Sequence, residues 1–186
     1  VERAGTVRLE RFGDALGVDA AVSGTHPTGA TTWSGLDHLA GRSVVVIADG
    51  APRGEQTVTL GAVTTDPPAR AVQAGLPFTH VIEPLPPELL TQYGGRTGPV
   101  RLVAVTFRVL DTAALAVDLG RGPVEVPFRR LGALVLDTAP PTFTGDKTIR
   151  ALGWRRDTTM PLWRIVGDTP LPMTLLSVTT EMRLNT

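Results

Sequence analysis

The alternation of apolar and polar residues is the feature that most constrains the fold of this chain. Runs with a period of two, rich in β-branched residues, recur along the sequence, and no stretch keeps the 3.6-residue period of an amphipathic helix. Ser43–Ala48 and Thr174–Leu184 are predicted strands, as are the shorter stretches 19–23 and 31–34. We therefore predict an all-β fold, built as one or two small antiparallel β-barrel or sandwich units with very little helix.

Glycine and proline separate these runs and predict where the chain turns. Turns are expected at Asp49-Gly50 and at Asp66-Pro67-Pro68. The proline-rich bend at residues 85–87 and the polar segment after it predict a boundary between two units. We predict an N-terminal β unit over residues 1–87, a connecting segment over 88–98 and a C-terminal β unit over 99–186.

Two further stretches carry specific structural expectations. Residues 36–41 lie between two predicted strands and are expected to form one tight helical turn closed by Gly41. Residues 101–110 are apolar at both alternating positions, which predicts a central strand covered on both faces.

Composition excludes several classes of function. Eighteen basic residues balance eighteen acidic ones, so the chain lacks the positive excess that drives binding to nucleic-acid phosphates. There is no cysteine, which removes disulfides, thiol nucleophiles and thiolate metal sites. The longest apolar runs are far shorter than the roughly 20 residues of a transmembrane helix. The N-terminus, Val1-Glu2-Arg3, has no initiator Met and no signal-peptide core, so we expect a fragment of a longer protein.

The residues that usually carry catalysis or metal binding do not form a known pattern. His26, His38 and His80 have neither the i, i+4 spacing nor the H-x-H spacing of metal ligands, so neither a metal nor another cofactor is predicted. Asp37 and His38 are adjacent, but adjacent residues on a helical turn point apart, and there is no nucleophile motif. We expect one of them to cap the turn, and we predict that the chain is not an enzyme.

Aromatic residues and one Asp-Lys pair suggest ligand-facing positions. Three tryptophans could form a platform for sugar stacking or could fill cores and subunit interfaces. Asp146 and Lys147 follow Gly145, where either a ligand-holding pair on a turn or a plain β-turn is expected. The candidate assembly-interface or ligand-facing residues are Trp33, Asp37, His38, Asp146, Lys147, Trp154 and Trp163.

One long motif resembles a known family. Residues 32–50, TWSGLDHLAGRSVVVIADG, resemble a segment of the bacteriophage tail proteins described as tail tubular protein B or nozzle proteins. Shorter pieces agree in the same order, namely VQAGLPFT at 72–79, FTGDK at 143–147 and PLPMTLLSV at 170–178. The resemblance spans about residues 9–184, corresponds to the C-terminal part of those proteins, and departs from their pattern at 88–98 and 131–141.

The resemblance implies a virion structural protein without active-site residues or cofactors. Nozzle subunits form a ring, typically a hexamer, at the distal end of a short phage tail beside adaptor, tubular and fibre proteins. Double-stranded DNA leaves through the ring without sequence-specific binding. The alternative hypothesis, motivated by the three tryptophans, is a receptor- or carbohydrate-binding module of a tail fibre or adaptor. A third hypothesis, a cell-wall hydrolase, has no supporting arrangement of residues.

Overall fold

A computed structural model of the chain describes residues 2–3, 6–7, 13, 16–87, 99–128, 139–151, 153–155, 157 and 159–184. Its contacts divide the chain into two compact units. Unit 1 comprises Val1–Phe78 and Val135–Ala139, and unit 2 comprises Thr79–Leu134 and Pro140–Thr186. The division follows Phe78, whereas the predicted connecting segment, 88–98, lies outside the described residues. Both units consist of antiparallel strands, so the predicted all-β class with very little helix is confirmed.

Unit 1 is organised around one four-stranded antiparallel sheet with the order β3-β6-β4-β5. A separate two-stranded sheet pairs β1 with β2. Within the described residues the sheets are open and none closes into a barrel. The elements of unit 1 are β1 (Glu2–Arg3), β2 (Thr6–Val7), β3 (Asp19–Ser34), a 3-10 helix (Asp37–Leu39), β4 (Ser43–Ala48), β5 (Ala51–Thr57) and β6 (Ala62–Leu76).

Strand β4 forms the centre of unit 1, and its predicted bounds are confirmed. Val44 and Val46 point into a core that also contains Leu36 and Leu39. On the opposite face, Val45 is buried in a second cluster. Burial on both faces explains why this strand reads as an uninterrupted apolar run.

The two predicted turns that flank β4 are confirmed. The 3-10 helix ends before Gly41, whose φ of +74° is readily available only to glycine. At Asp49 and Gly50, φ angles of +50° and +76° form the two-residue connection that links β4 to β5. The Asp49 carboxylate accepts hydrogen bonds from the backbone N–H groups of Arg70 (3.0 Å) and Ala71 (2.9 Å), so this turn is tied to β6.

In unit 1 two predicted strands are parts of a single strand and one predicted turn is wrong, and strand pairing explains both. Residues 19–23 and 31–34 are parts of one strand, β3, because β3 has extra residues between the pairs Thr25↔Ala71 and Ala30↔Ala69. The expected turn at Asp66-Pro67-Pro68 lies inside β6. The register moves directly from Thr32↔Thr64 to Ala30↔Ala69, so the prolines occupy positions without a ladder partner and their missing N–H groups break no pair.

Unit 2 consists of two sheets that share one core. One sheet has the order β10-β9-β13-β7, and in the other β8 pairs with β14 on one side and with β11 and β12 on the other. The strands of unit 2 are β7 (His80–Ile82), β8 (Val100–Thr112), β9 (Ala116–Asp118), β10 (Pro123–Glu125), β11 (Phe143–Arg150), β12 (Trp154–Arg155), β13 (Arg164–Gly167) and β14 (Thr174–Leu184). The predicted bounds of β14 are confirmed.

The core of unit 2 is centred on Phe107 and Trp163. Their rings meet edge to face at 5.4 Å and 88°, and Val105, Val109 and Ile165 are fully buried around them. Because these side chains come from both sheets, unit 2 is a sandwich.

The prediction that residues 101–110 form a central strand is confirmed, but the expected cover on both faces is wrong. One face of β8 is buried in the core, while Arg108 and Leu110 are exposed on the other. The register between β8 and β14 passes from Ala104↔Glu181 to Leu102↔Met182, which leaves Val103 as a bulge. A bulge reverses which alternate residues face inward, so inward-facing apolar residues occur at even positions before the bulge and at odd positions after it.

The turn expected around Gly145 is wrong, because this segment is part of strand β11. The register between β11 and β8 shifts between Phe143 and Gly145, and Gly145 has a φ of +142°. The extra residue lies on β8 between Val109 and Thr112, where Asp111 has a φ of +43°, so Gly145 lies opposite a bulge and the chain does not change direction here.

Candidate functional site

Asp37 and His38 lie on the 3-10 helix, and neither caps it. No side-chain hydrogen bond closes its N-terminus, so the capping prediction is wrong. Instead, the backbone N–H of Leu36 donates to the Gly61 carbonyl at 2.9 Å, and His38 Nε2 lies 3.0 Å from the Ala20 carbonyl, to which it donates as the Nε2–H tautomer. The Asp37 carboxyl occupies the space that a Cβ at Gly61 would need. These contacts tie the helix to its neighbours.

Trp33 is a packing residue of unit 1. Its half-buried ring lies against the core and over Gly24, where a Cβ would approach the ring to 2.8 Å. The indole N–H donates to Thr65 Oγ1 at 3.3 Å, and this hydroxyl donates to the Ala30 carbonyl at 3.0 Å. The indole N–H of Trp33 therefore has its hydrogen-bond partner within unit 1.

Asp146 and Lys147 do not act as a pair, because adjacent residues of a strand point to opposite faces. Asp146 is exposed and faces Arg108 across the β11–β8 ladder. Arg108 Nε donates to Asp146 Oδ1 at 2.8 Å and its NH2 group donates to Oδ2 at 3.0 Å. The hydrogen bond with Arg108 lowers the pKa of Asp146, and the same hydrogen bond raises the pKa of Arg108.

Lys147 lies on the same side of the sheet as Phe107, its partner across the ladder. Its Nζ donates to the Pro127 carbonyl at 3.0 Å and lies 4.5 Å and 5.1 Å from the ring centres of Phe143 and Phe128. A lysine that points inward from a strand at the side of a sheet hinders pairing with another chain. Among the described strands β11 is an outer strand of its sheet, so Lys147 is placed where it would hinder such pairing.

The remaining two tryptophans differ in exposure. Trp163 is buried in the core of unit 2, where its indole N–H donates to Thr180 Oγ1 at 3.2 Å. Trp154, on β12, is 50% exposed. Trp33 belongs to unit 1, so the three rings are not grouped within one unit.

A buried carboxylate that sequence reasoning missed lies at the end of β9. Asp118 is 4% exposed and accepts hydrogen bonds on Oδ1 from the backbone N–H groups of Gly120, Arg121 and Gly122 at 2.6 Å, 3.0 Å and 3.0 Å. Its Oδ2 accepts Nε and NH2 of Arg164 at 3.0 Å and 2.9 Å. The D-x-G-x-G spacing that follows β9 was the available signal, since Asp favours such turns.

The surroundings of Asp118 fix its charge state. Burial acts to raise the pKa of Asp118, but the hydrogen bonds from Arg164 and from the turn outweigh burial, so the pKa of this carboxyl lies below its usual range. A carboxylate offers about four lone-pair sites. Five donors occupy them here, which leaves Asp118 no capacity to act as a general base. The group is structural.

The turn between β5 and β6 carries the most exposed large apolar side chain among the described residues. Leu60 is 97% exposed and has a φ of +52°. Thr59 and Ala62 close the turn by two backbone hydrogen bonds of 3.1 Å and 3.0 Å. The adjoining Val58 is held to the residues that follow the 3-10 helix. The Gly41 N–H donates to the Val58 carbonyl (3.0 Å), and the Val58 N–H donates to the Arg42 carbonyl (2.9 Å). Leu60 is therefore displayed on a well-anchored turn.

Unit 2 contains a concave cavity of about 320 Å³ at one end of the β9–β10 hairpin. Its wall is mainly apolar and includes Ala114, Leu115, Val126 and Phe128, and the acidic residues Glu125 and Asp168 also line it. The described residues of the lining are His80, Ala113, Ala114, Leu115, Ala116, Glu125, Val126, Pro127, Phe128, Pro140, Gly167, Asp168, Thr169 and Leu171. The cavity has the size of the smaller ligand pockets in proteins, about 300–1,000 Å³. It suits one or two apolar side chains.

Searches for other kinds of site give no further candidate. In the part of the chain that the structure describes, no group of three or more His, Asp or Glu side chains is arranged to hold a metal ion. No described helix is long and apolar enough to span a bilayer. Comparison with models of known protein families finds no match, and a search of curated proteins finds no significantly similar sequence.

Proposed function

We propose that the chain is a virion structural module of a phage tail nozzle, which assembles with copies of itself into a ring through which double-stranded DNA leaves. The observation that carries the proposal is the position of the segment with the family resemblance, residues 32–50. This segment supplies the end of β3, the 3-10 helix, β4 and the turn to β5. Its buried residues include Leu36, Leu39, Val44 and Val46, so the resemblance involves the framework of unit 1 and not a surface loop.

The balanced charge of the chain supports a channel to which DNA does not bind tightly. The formal net charge is zero. Two of the arginines, Arg108 and Arg164, are each paired with an aspartate through two hydrogen bonds. Affinity for DNA comes mainly from cations that neutralise phosphates. A surface with balanced charge therefore suits DNA that moves past it.

The alternative, a receptor- or carbohydrate-binding module, receives less support. A stacking platform needs several aromatic faces in one place. Trp163 is buried, and the Trp33 indole N–H is used within unit 1. Of the three residues that motivated this alternative, Trp154 alone is exposed.

Electron microscopy and mass photometry of the purified protein test the proposal. We expect closed rings of one repeating subunit around a central channel that admits B-form DNA. In a mobility-shift assay at physiological salt, we expect the rings to leave short duplex DNA unretarded. A protein that stays monomeric at all concentrations, or that forms only open filaments, would contradict the proposal, as would localisation of the chain in the capsid shell of its virion.

A further inference from the structure

Unit 1 has two tight turns whose central residues both adopt left-handed backbone angles, and they differ in one residue. The β4–β5 turn uses Asp49-Gly50, a pair favoured at such turns, and Asp49 also binds two backbone N–H groups of β6. The β5–β6 turn uses Leu60-Gly61, with φ angles of +52° and +67°. A bulky residue is a rare choice for this conformation. Leu60 has no comparable local hydrogen bond to make.

Leu60 combines two local disadvantages. Its backbone is in a region that leucine avoids, and its side chain is almost wholly in water. The turn itself is well anchored, because two backbone bonds close it and because the Leu36 N–H donates to Gly61 O. An exposed apolar side chain on an ordered support is the form that an interface anchor takes before binding.

The cavity of unit 2 has the size and the apolar chemistry to bind the Leu60 side chain. Its apolar wall and its volume of about 320 Å³ accommodate a branched aliphatic side chain. Among the residues that the structure describes, its lining contains Glu125 and Asp168 and no Lys or Arg. Beside the Leu60 turn lies the exposed Arg42, whose carbonyl accepts the Val58 N–H, while Asp37 lies beneath Gly61. The turn therefore carries one negative and one positive side chain beside Leu60, and Arg42 is the one that complements Glu125 and Asp168.

We propose that Leu60 of one copy of the chain inserts into the cavity of unit 2 of the next copy, with Arg42 facing Glu125 and Asp168. This inference rests on the proposed function, because a contact between two different surfaces of one chain is the head-to-tail type that generates rings. The occupant of the cavity is a second copy of this chain.

The substitution Leu60→Asn separates assembly from folding. Asn-Gly is a preferred pair for this turn, so the variant is expected to keep or raise the thermal unfolding midpoint of unit 1. Loss of one buried leucine is expected to raise the dissociation constant between copies by about ten- to a hundredfold. Mass photometry over a concentration series measures the association. Leu85→Asn is the matched control, since Leu85 is 90% exposed but lies between Pro84 and Pro86 outside any strand, and it should leave association unchanged.

The cavity side of the contact is tested by filling the cavity and by reversing the charge of residues at the contact. Ala114→Phe should weaken association while Leu60 is intact. Arg42→Glu should also weaken it, and addition of Asp168→Arg should restore part of the loss. A photoreactive benzoylphenylalanine in place of Leu60 should link two chains, with the attachment mapped by mass spectrometry to residues 113–116 or 125–128.

The outcomes distinguish this contact from the proposed function. Rings that form equally well with Leu60→Asn would overturn the contact and leave the nozzle proposal standing. A photoproduct within a single chain, or one mapped away from the cavity, would likewise overturn it. Wild-type protein that never associates would overturn both proposals.

Discussion

The two units reach the same secondary structure by different means. In unit 1, a helical turn and a two-residue turn join β4 to its neighbours and β3 pairs with the distant β6, around a core of largely small and medium aliphatic side chains. Unit 2 brings together strands that are distant in sequence around two large rings, Phe107 and Trp163, and a buried carboxylate. The comparison teaches that the core of unit 1 is spread over many smaller side chains, whereas unit 2 depends more on a few large or charged ones.

The largest effect is expected for Phe107→Ala in unit 2. Phe107 is fully buried and packs against Trp163, so its removal leaves a cavity and should cost unit 2 about 3–5 kcal/mol of unfolding free energy. Hydrogen exchange read by mass spectrometry should show loss of protection in β8 and little change in β4. Leu110→Ala, on the exposed side of the same strand, is the control and should have a small effect. Equal loss of protection in β4 would show that the units unfold as one and would break the comparison.

Asp118→Ala is expected to have the next largest effect. It leaves Arg164 and three backbone N–H groups without their acceptor, which we expect to lower the unfolding free energy of unit 2 by about 2–3 kcal/mol. Denaturant unfolding with an unchanged slope measures this loss. Asp146→Ala removes a similar bidentate contact on the exposed face and is the matched comparison. An equal effect of the two substitutions would contradict the role assigned to burial.

The pH dependence of unit 2 follows from the same group. The pKa of Asp118 is lower in the folded chain than its usual value, so its contribution is fully present above the unfolded pKa of about 4 and is lost as the pH falls through the folded pKa. The difference in stability between wild type and Asp118→Ala should therefore be constant near neutral pH and should shrink below about pH 4. A difference that grows in acid would have the wrong sign.

Sequence patterns were informative where the determinants are local. Ser43–Ala48 and the Asp49-Gly50 turn were predicted because a strand period and a left-handed turn need only adjacent residues. Pro67 in a strand was not predicted, because its tolerance depends on the register between β3 and β6. The Asp118–Arg164 contact joins residues 46 positions apart, and no local pattern specifies that pairing.

The same limit applies to the candidate site residues, because their contacts come from residues that no local sequence pattern specifies. Adjacency in sequence drew attention to Asp37 and His38, but their contacts, to Gly61 and to the Ala20 carbonyl, come from the β5–β6 turn and from β3. Lys147 was grouped with Asp146 by adjacency, and the pleat of β11 places them on opposite faces. Leu60 was overlooked because exposure of a single leucine has no signature in sequence.

A smaller effect in unit 1 is expected for Gly75→Ala, which tests how closely the backbone at Gly75 packs against the start of β3. A Cβ at this position would lie 2.5 Å from the Asp19 carbonyl oxygen and 2.9 Å from Val18 Cγ2. The start of β3 must move, at a cost of roughly 1–2 kcal/mol. Gly24→Ala, whose Cβ meets only the ring of Trp33, is the comparison and should cost less if the ring can shift. Hydrogen exchange in β3, read by mass spectrometry, reports the change.

The smallest effect is expected at the exposed pair Arg108–Asp146. Its geometry is as good as that of Arg164–Asp118, with contacts of 2.8 Å and 3.0 Å, but both side chains are about half exposed. Water already solvates both charges and salt screens them, so exposed pairs contribute little. In a double-mutant cycle of Arg108→Ala and Asp146→Ala, the coupling should be smaller than in the cycle of Arg164→Ala and Asp118→Ala, and it should vanish at high salt. Equal couplings at high salt would show that geometry, and not burial, determines the strength of such pairs in this sandwich.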